Sequence, residues 1–281
     1  MKEVILTKLE KQILNELRNS NLSPQEVKKV IENMQKGTHG VKTYSHHFPK
    51  KHAKFGVISD THIGHKAFDE QLWDKAGKYF KKQGIDTIYH SGDILEGMSG
   101  RPGHVYELDQ IGATAQKNRA RELLEYFDGM TIYGITGNHD DWFKVKNDNG
   151  LIVGEDLEQM TNNFEFLGEM EADVKIAPNV TIKLFHSTDG SAYAISYKLQ
   201  KLMESLEGGH KPNMILSGHY HKALYMFNRN IHGYECGTFC GQTPFMRGKK
   251  LPAHKGFWII DAYMDKNGIE EVVNQFVPAY N

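Results

Sequence analysis

The chain has 281 residues, 39% hydrophobic and 25% charged, with a formal net charge of −1. That is the composition of an ordinary globular protein, and it marks neither a strongly basic nor a strongly acidic partner for the chain as a whole. No apolar run reaches the ~18 residues of a membrane span, and the opening M-K-E-V-I-L-T-K-L-E lacks a signal-peptide pattern.

Two cysteines, Cys236 and Cys240, are spaced C-x3-C with no second pair. They suit a reducing compartment rather than a disulfide framework, so the expected location is cytoplasmic, with no membrane partner. Charge is uneven. Residues 1–54 hold 11 Lys and Arg against 5 Asp and Glu, which leaves the remainder at −7. The 15 histidines are many for this length.

Two helices are predicted first. Thr7-Lys8-Leu9-Glu10 and Ser23-Pro24-Gln25-Glu26 are capping-box patterns, each followed by an apolar stripe, and Gly37 ends the second. Residues 7–36 therefore read as a helical hairpin. Residues 37–53 are polar, basic and broken by Gly and Pro, which predicts a linker.

From residue 54 the texture changes. Phe55–Ser59, Ile85–His90 and Thr131–Ile135 read as short buried strands. Between them lie a helix over 69–82, a Gly/Pro loop over 98–106 and an amphipathic helix to about Phe127. This alternation predicts βαβ units. Past residue 170 the pattern turns to hairpins, with strands at 174–176 and 180–185, a helix over 193–206, and strands at 214–216, 223–227, 231–234 and 256–261. The expected body is a layered α/β sandwich with mixed sheets.

Several strands end in metal-ligand residue types: Asp60-Thr61-His62, Gly92-Asp93, Gly137-Asn138-His139-Asp140, His186 and Gly218-His219-Tyr220-His221. Ligands of open α/β sheets bind outside the carboxyl ends of the strands. Each fragment alone is as well explained by turn chemistry or a satisfied histidine; their joint occurrence in one order is the signal. Carboxylates and imidazoles without thiolate suit Mn, Fe, Zn or Ni, and argue against a purely structural zinc site.

The ordered set D-x-H, G-D, G-N-H-D, H, G-H-x-H resembles the calcineurin-like metallophosphoesterase superfamily, over roughly residues 54–262, with a distant similarity to its DNA-repair-type nucleases. The resemblance implies a four-layer α/β sandwich with two mixed β-sheets flanked by helices, here preceded by the small N-terminal hairpin. The domains would be 1–36, 37–53 and 54–281. It implies two divalent metal ions, Mn2+ first and Fe, Zn or Ni as alternatives. Asp60, His62 and His221 would hold one, Asn138, His186 and His219 the other, and Asp93 would bridge them. A hydroxide between the metals would attack the phosphorus, His139 would be the general acid, and Asp140 would orient it.

Two departures stand out. His186 is followed by Ser187-Thr188-Asp189-Gly190 where members often show His-Gly, so His210 competes with it. Position 96 is Glu where the repair nucleases often place a histidine.

The substrate is less legible. Arg101 and His104, in the loop after Asp93, and Arg247, in T-F-C-G-Q-T-P-F-M-R-G-K-K, are the candidate substrate contacts. Cations interleaved with aromatics suit nucleic acid, although a plain rim loop reads equally well. The N-terminal hairpin reads either as a nucleic-acid appendage or as a packing element of a homodimer. The expected function is a nuclease. A small-molecule phosphatase or cyclic-nucleotide phosphodiesterase is the alternative, and a non-catalytic binding subunit of the same fold the third reading.

Overall fold

The computed structural model describes residues 41–46, 48, 51–145, 150–207, 209 and 211–280. The helical hairpin expected over 7–36 and the competing His210 lie outside them.

Six strands make each of two mixed sheets. The first follows the order β12(Gly268–Pro278), β11(Gly256–Asp265), β2(His52–Ile58), β3(Thr87–Ser91), β4(Thr131–Thr136), β5(Phe164–Glu169). Its β2, β3, β4 and β5 run parallel, and β11 and β12 are antiparallel additions. The second follows β1(Thr43–Ser45), β6(Glu171–Ala177), β7(Val180–His186), β8(Met214–Gly218), β10(Ile231–Cys236), β9(Ala223–Asn228). There β7, β8 and β10 are parallel neighbours. The helices are α1(Glu70–Lys82), α2(Ala113–Glu125), α3(Trp142–Val145), α4(Val153–Met160), α5(Tyr197–Ser205) and α6(Pro244–Lys249).

Period-two alternation sends Phe55 and Val57 of β2 inward, where they meet Val174, Ile182, Leu184, Leu216 and Tyr234 from the opposite sheet. The other face of the first sheet, with Ile58, Ile88 and Ile132, is covered by Trp73, Ala76 and Phe80 of α1, by Leu123 and Leu124 of α2 and by Leu157 of α4. On the outside of the second sheet, Ile215 and Ile231 pack on Leu199 and Met203 of α5. Helix, sheet, sheet and helix thus form the expected four layers. Central parallel strands buried on both faces must be apolar throughout, which is why M-I-L-S-G of β8 has no exposed position. Helix α1 starts where Asp69 accepts the Leu72 amide at 2.9 Å. Glu70 in its first turn and Lys81 and Lys82 in its last suit the helix dipole.

The structure differs from the sequence expectation at five elements. Residues 43–45, inside the stretch expected as a linker, form β1, because their backbone pairs with β6 despite polar neighbours. Strand β5 and helix α4 were not expected. Gly154 interrupts the helical pattern of α4, yet a Cβ there would run into the Phe166 ring, so the glycine is a packing requirement. Strand β12 was also not expected. It is an edge strand whose apolar residues fall in the adjacent pairs Val272-Val273 and Phe276-Val277, so its sequence does not alternate. The helix expected from 193 starts at 197, and residues 188–191, further upstream, line the cleft described next.

Candidate metal centre

Strands β2, β3, β4, β7 and β8 deliver their C-terminal ends to one place. The backbones just beyond them are laced together: Asp60 N donates to Gly92 O at 3.0 Å, His62 N to Asp93 O at 3.1 Å and Ile63 N to Ile94 O at 2.9 Å. Asp60, His62, Asp93, His219 and His221 all adopt positive φ, between 48° and 87°. That region disfavours residues with a Cβ, and such strain persists where the surrounding structure over-determines it, chiefly at functional sites.

Three overlapping groups result: Asp60, His62 and His221; His62, Asp93 and His139; and Asp93, His186 and His219. Within each, one potential ligand atom per residue lies within 4.8 Å of the others. Asp93 Oδ2 sits 3.2 Å from His186 Nε2, 3.8 Å from His62 Nε2 and 4.0 Å from His139 Nε2. His221 Nε2 is 3.4 Å from Asp60 Oδ1 and 2.9 Å from His62 Nε2. Asn138 Oδ1 joins at 3.2 Å from His186 Nε2. The structure therefore brings all seven expected ligands together.

Second contacts fix which ring nitrogen faces the cluster. Nδ1 of His62 meets Glu96 Oε2 at 2.7 Å, Nδ1 of His186 meets Ser91 O at 2.7 Å, and Nε2 of His219 meets Asp189 O at 2.8 Å. Each acceptor takes the ring proton and leaves the opposite nitrogen a lone pair, as metal-ligating histidines require. The carboxylates are held likewise. Asp60 accepts the His219 amide at 2.9 Å, and Asp93 Oδ1 the His139 amide at 2.8 Å. This donor set of N and O atoms with fixed tautomers fits a divalent cation of the Mn, Fe, Zn or Ni kind.

Electrostatics agree. Burial pushes the Asp60 carboxyl up, but His221 and His186 overcome it and hold the group at about 2. Burial likewise opposes the charge on Asp93, and His186 and His139 hold it well below the carboxylate range. Burial pulls the His139 imidazole down, but Asp93 and Glu96 raise it to about 10. His219 is pulled down to about 4 by burial and by the charge of His186.

The Asp140 carboxylate is directed at backbone amides and not at the His139 ring. It accepts the amides of Ile94 at 3.1 Å, Leu95 at 2.8 Å and Gly137 at 2.8 Å. It thereby clamps the loop after β4 onto the loop after β3. The His139 ring is held by Glu96 instead, with Nδ1 2.9 Å from the Glu96 carbonyl, and it lies against Trp142 with centroids 3.9 Å apart. Tyr220 turns its hydroxyl away to Ser187 Oγ at 2.7 Å and to the Asp189 carboxylate.

Above the cluster lies a cleft of about 450 Å³. Arg101 and His104 both line it. His104 is buried with Nε2 on Glu96 Oε1 at 2.7 Å. Arg101 pairs with Glu107 at 2.8 Å and lies 5.5 Å from the Phe245 ring centroid. Arg247, on the exposed face of α6, does not line the cleft. Sequence reasoning gave no role to Glu96, Trp142 or Asp189, and read Phe245 only as one aromatic of the segment 238–250. Only the odd glutamate three residues after Asp93 was a visible signal.

Residues 54–244 match the family model of the calcineurin-like phosphoesterase superfamily domain. A stretch of 103 residues is 29% identical to the DNA polymerase II small subunit of Halobacterium salinarum, in two strains, over 35% of this chain. The match spans about a fifth of that relative's length, 20%. Among solved structures, a novel archaeal phosphodiesterase is 15% identical over 80% of this chain and 100% of its own, with a TM-score of 0.47. The phosphoesterase YfcE of E. coli is 14% identical over 79% and 98%, with a TM-score of 0.42. Vps29 of Entamoeba histolytica, complexed with zinc, is 14% identical over 80% and 99%, with a TM-score of 0.39.

Proposed function

Because the chain belongs to the calcineurin-like phosphoesterase superfamily, we propose that it is a phosphodiesterase working with two divalent cations. Asp60, His62 and His221 hold one, Asn138, His186 and His219 the other, and Asp93 lies between. The observation that carries this is the chain of three ligand groups, in which the first two share His62 and the last two share Asp93. The cations supply charge neutralisation at the phosphate and an acidified water.

The remaining chemistry falls to the protein. His139 holds its Nε2 toward Asp93 and the cleft, with Nδ1 anchored on the Glu96 carbonyl. Asp93 and Glu96 favour the protonated imidazole against the pull of burial. It can then donate the Nε2 proton to the departing alkoxide, a role for a well-placed histidine. Asp140 positions it by clamping the loop.

Nucleic acid is the proposed substrate. Phe245 presents a 47% exposed ring at the cleft, and Arg247, Lys249 and Lys250 follow it on the exposed turn of α6 with no acidic residue among them. An aromatic platform beside a cationic track suits bases and phosphates. The likeness to a DNA polymerase small subunit supports the same class. The purified protein with Mn2+ should cut single- or double-stranded DNA or RNA; failure on all of them would reject a nuclease. The cleft volume favours one second reading, since about 450 Å³ also suits a single nucleotide. That reading requires turnover of cyclic or small diesters and none of polymers.

A further inference from the structure

One buried carboxylate outside the ligand set touches three histidines that come from three different loops. Glu96 is 5% exposed. Its Oε2 accepts from His62 Nδ1 at 2.7 Å and lies 3.4 Å from His139 Nδ1. Its Oε1 accepts from His104 Nε2 at 2.7 Å. His62 belongs to the metal cluster, His139 faces the departing oxygen, and His104 stands in the wall of the cleft. We infer that Glu96 is a positioning residue that locks the wall of the cleft to the metal centre, fixing the tautomer of His62 and the seat of the 98–107 loop through the same carboxylate. The inference rests on reading the cluster as a metal centre.

The tautomers make the role specific. The Ser99 amide donates to His104 Nδ1 at 3.3 Å, so His104 must carry its proton on Nε2, where it faces Glu96. His62 must carry its proton on Nδ1 if Nε2 is to bind a cation. Glu96 therefore meets two N–H donors, one on each oxygen, and a carboxylate satisfies both because it is acceptor-only. A glutamine of the same shape cannot. Its amide offers one oxygen and one NH2, so one histidine would face a donor.

If the NH2 faces His62, that ring is driven to the other tautomer, with its proton on Nε2 and no lone pair for the cation. If it faces His104, the contact breaks and the cleft wall loosens. Removing the His104 ring leaves the glutamine oxygen free to serve His62. The loop is otherwise seated by Gln116, whose side chain accepts the Gly97 amide at 2.8 Å and donates to the Gly97 carbonyl at 3.1 Å. The fold at this point therefore does not depend on Glu96 alone.

The test is calorimetric titration of Mn2+ into the full chain, with thermal unfolding as the check on folding. Glu96→Gln should lower Mn2+ affinity by ~10–100-fold, the usual effect of losing the partner of a ligating histidine. His104→Ala should leave Mn2+ affinity near that of the parent while raising KM for a diester. The double variant Glu96→Gln/His104→Ala should regain most of the lost affinity. Parent-like Mn2+ binding by Glu96→Gln would overturn the inference, and so would a double variant no better than Glu96→Gln. If the unaltered protein bound no Mn2+, the metal-centre reading itself would fail. Should Glu96→Gln unfold, Glu96→Asp replaces it. Its shorter carboxylate keeps both acceptors, so it should bind Mn2+ better than Glu96→Ala, and equal binding would overturn the lock.

Discussion

The Nε2 atoms of His62 and His221 lie 2.9 Å apart. His62 gives its Nδ1 proton to Glu96, so its Nε2 is a lone pair pointed at another imidazole nitrogen. His221 Nδ1 is buried without a hydrogen-bond partner among the described residues. Either a proton on His221 Nε2 or a cation can fill this contact, and Asp60 completes the third side.

Removing cations should therefore cost stability as well as activity. A ligand at 100 times its Kd stabilises the native state by ~2.7 kcal/mol. Chelated protein should unfold at a lower temperature in calorimetry and recover when Mn2+ is returned. An unchanged Tm with and without Mn2+ would contradict this.

Asp93→Asn removes the charge that sits 3.2–4.0 Å from three imidazoles. The loss of Mn2+ affinity should exceed the ~100-fold ceiling typical of outer contacts, and diester turnover should vanish. Mn2+ binding near the parent's would show that Asp93 is not shared between ligand groups.

His139→Gln should keep Mn2+ affinity and slow turnover by ~10²–10⁴-fold, the range of general acid catalysis. The loss should grow as the leaving alcohol becomes more basic. Asp93 and Glu96 raise the His139 pKa against burial, so its acidic form is lost as pH rises, and cations at Asp93 would bring that loss to lower pH. The parent's rate should fall on the alkaline side, and that limb should be missing in the variant. Loss of bound metal in His139→Gln would instead make His139 a ligand.

Gly137→Ala tests the packing of the ligands. A Cβ there would collide with Asp93 and stand 2.7 Å from His186 Nε2. Overpacking of this kind costs about 1–3 kcal/mol, and here the strain falls on two ligands. Mn2+ affinity should drop together with Tm. A variant with parent-like values for both would show that the site has slack.

The same glycines explain why the centre was legible in the sequence. Gly92, Gly137 and Gly218 each stand within one residue of an expected ligand, and at each a His186 ring nitrogen lies within 2.8 Å of where a Cβ would sit. The resulting G-D, G-N-H-D and G-H-Y-H are local strings, so they can be read without a fold. The parts that were not legible depend on distant residues. Glu96 meets His104 eight positions away but His62 thirty-four positions away, and no local pattern announces such a contact. Asp140 sits beside His139 in the chain, yet its carboxylate turns to the amides of Ile94 and Leu95. Strand β12 escaped notice because its apolar residues come in adjacent pairs, Val272-Val273 and Phe276-Val277. Arg247, read as a substrate contact from its neighbours, stands outside the cleft because the turn of α6 sends Phe245 and Met246 in and the cation out.

Asp60, His62, Asp93, Asn138, His186, His219 and His221 are proposed to form a cation centre that cleaves phosphodiesters. Steady-state hydrolysis of bis(p-nitrophenyl) phosphate, titrated with Mn2+ and compared between the parent and Asp93→Asn, tests it most directly. Turnover should rise with Mn2+ to saturation, stop on chelation and be absent in Asp93→Asn. A parent that binds Mn2+ yet releases no p-nitrophenol, or an Asp93→Asn variant as active as the parent, would contradict it.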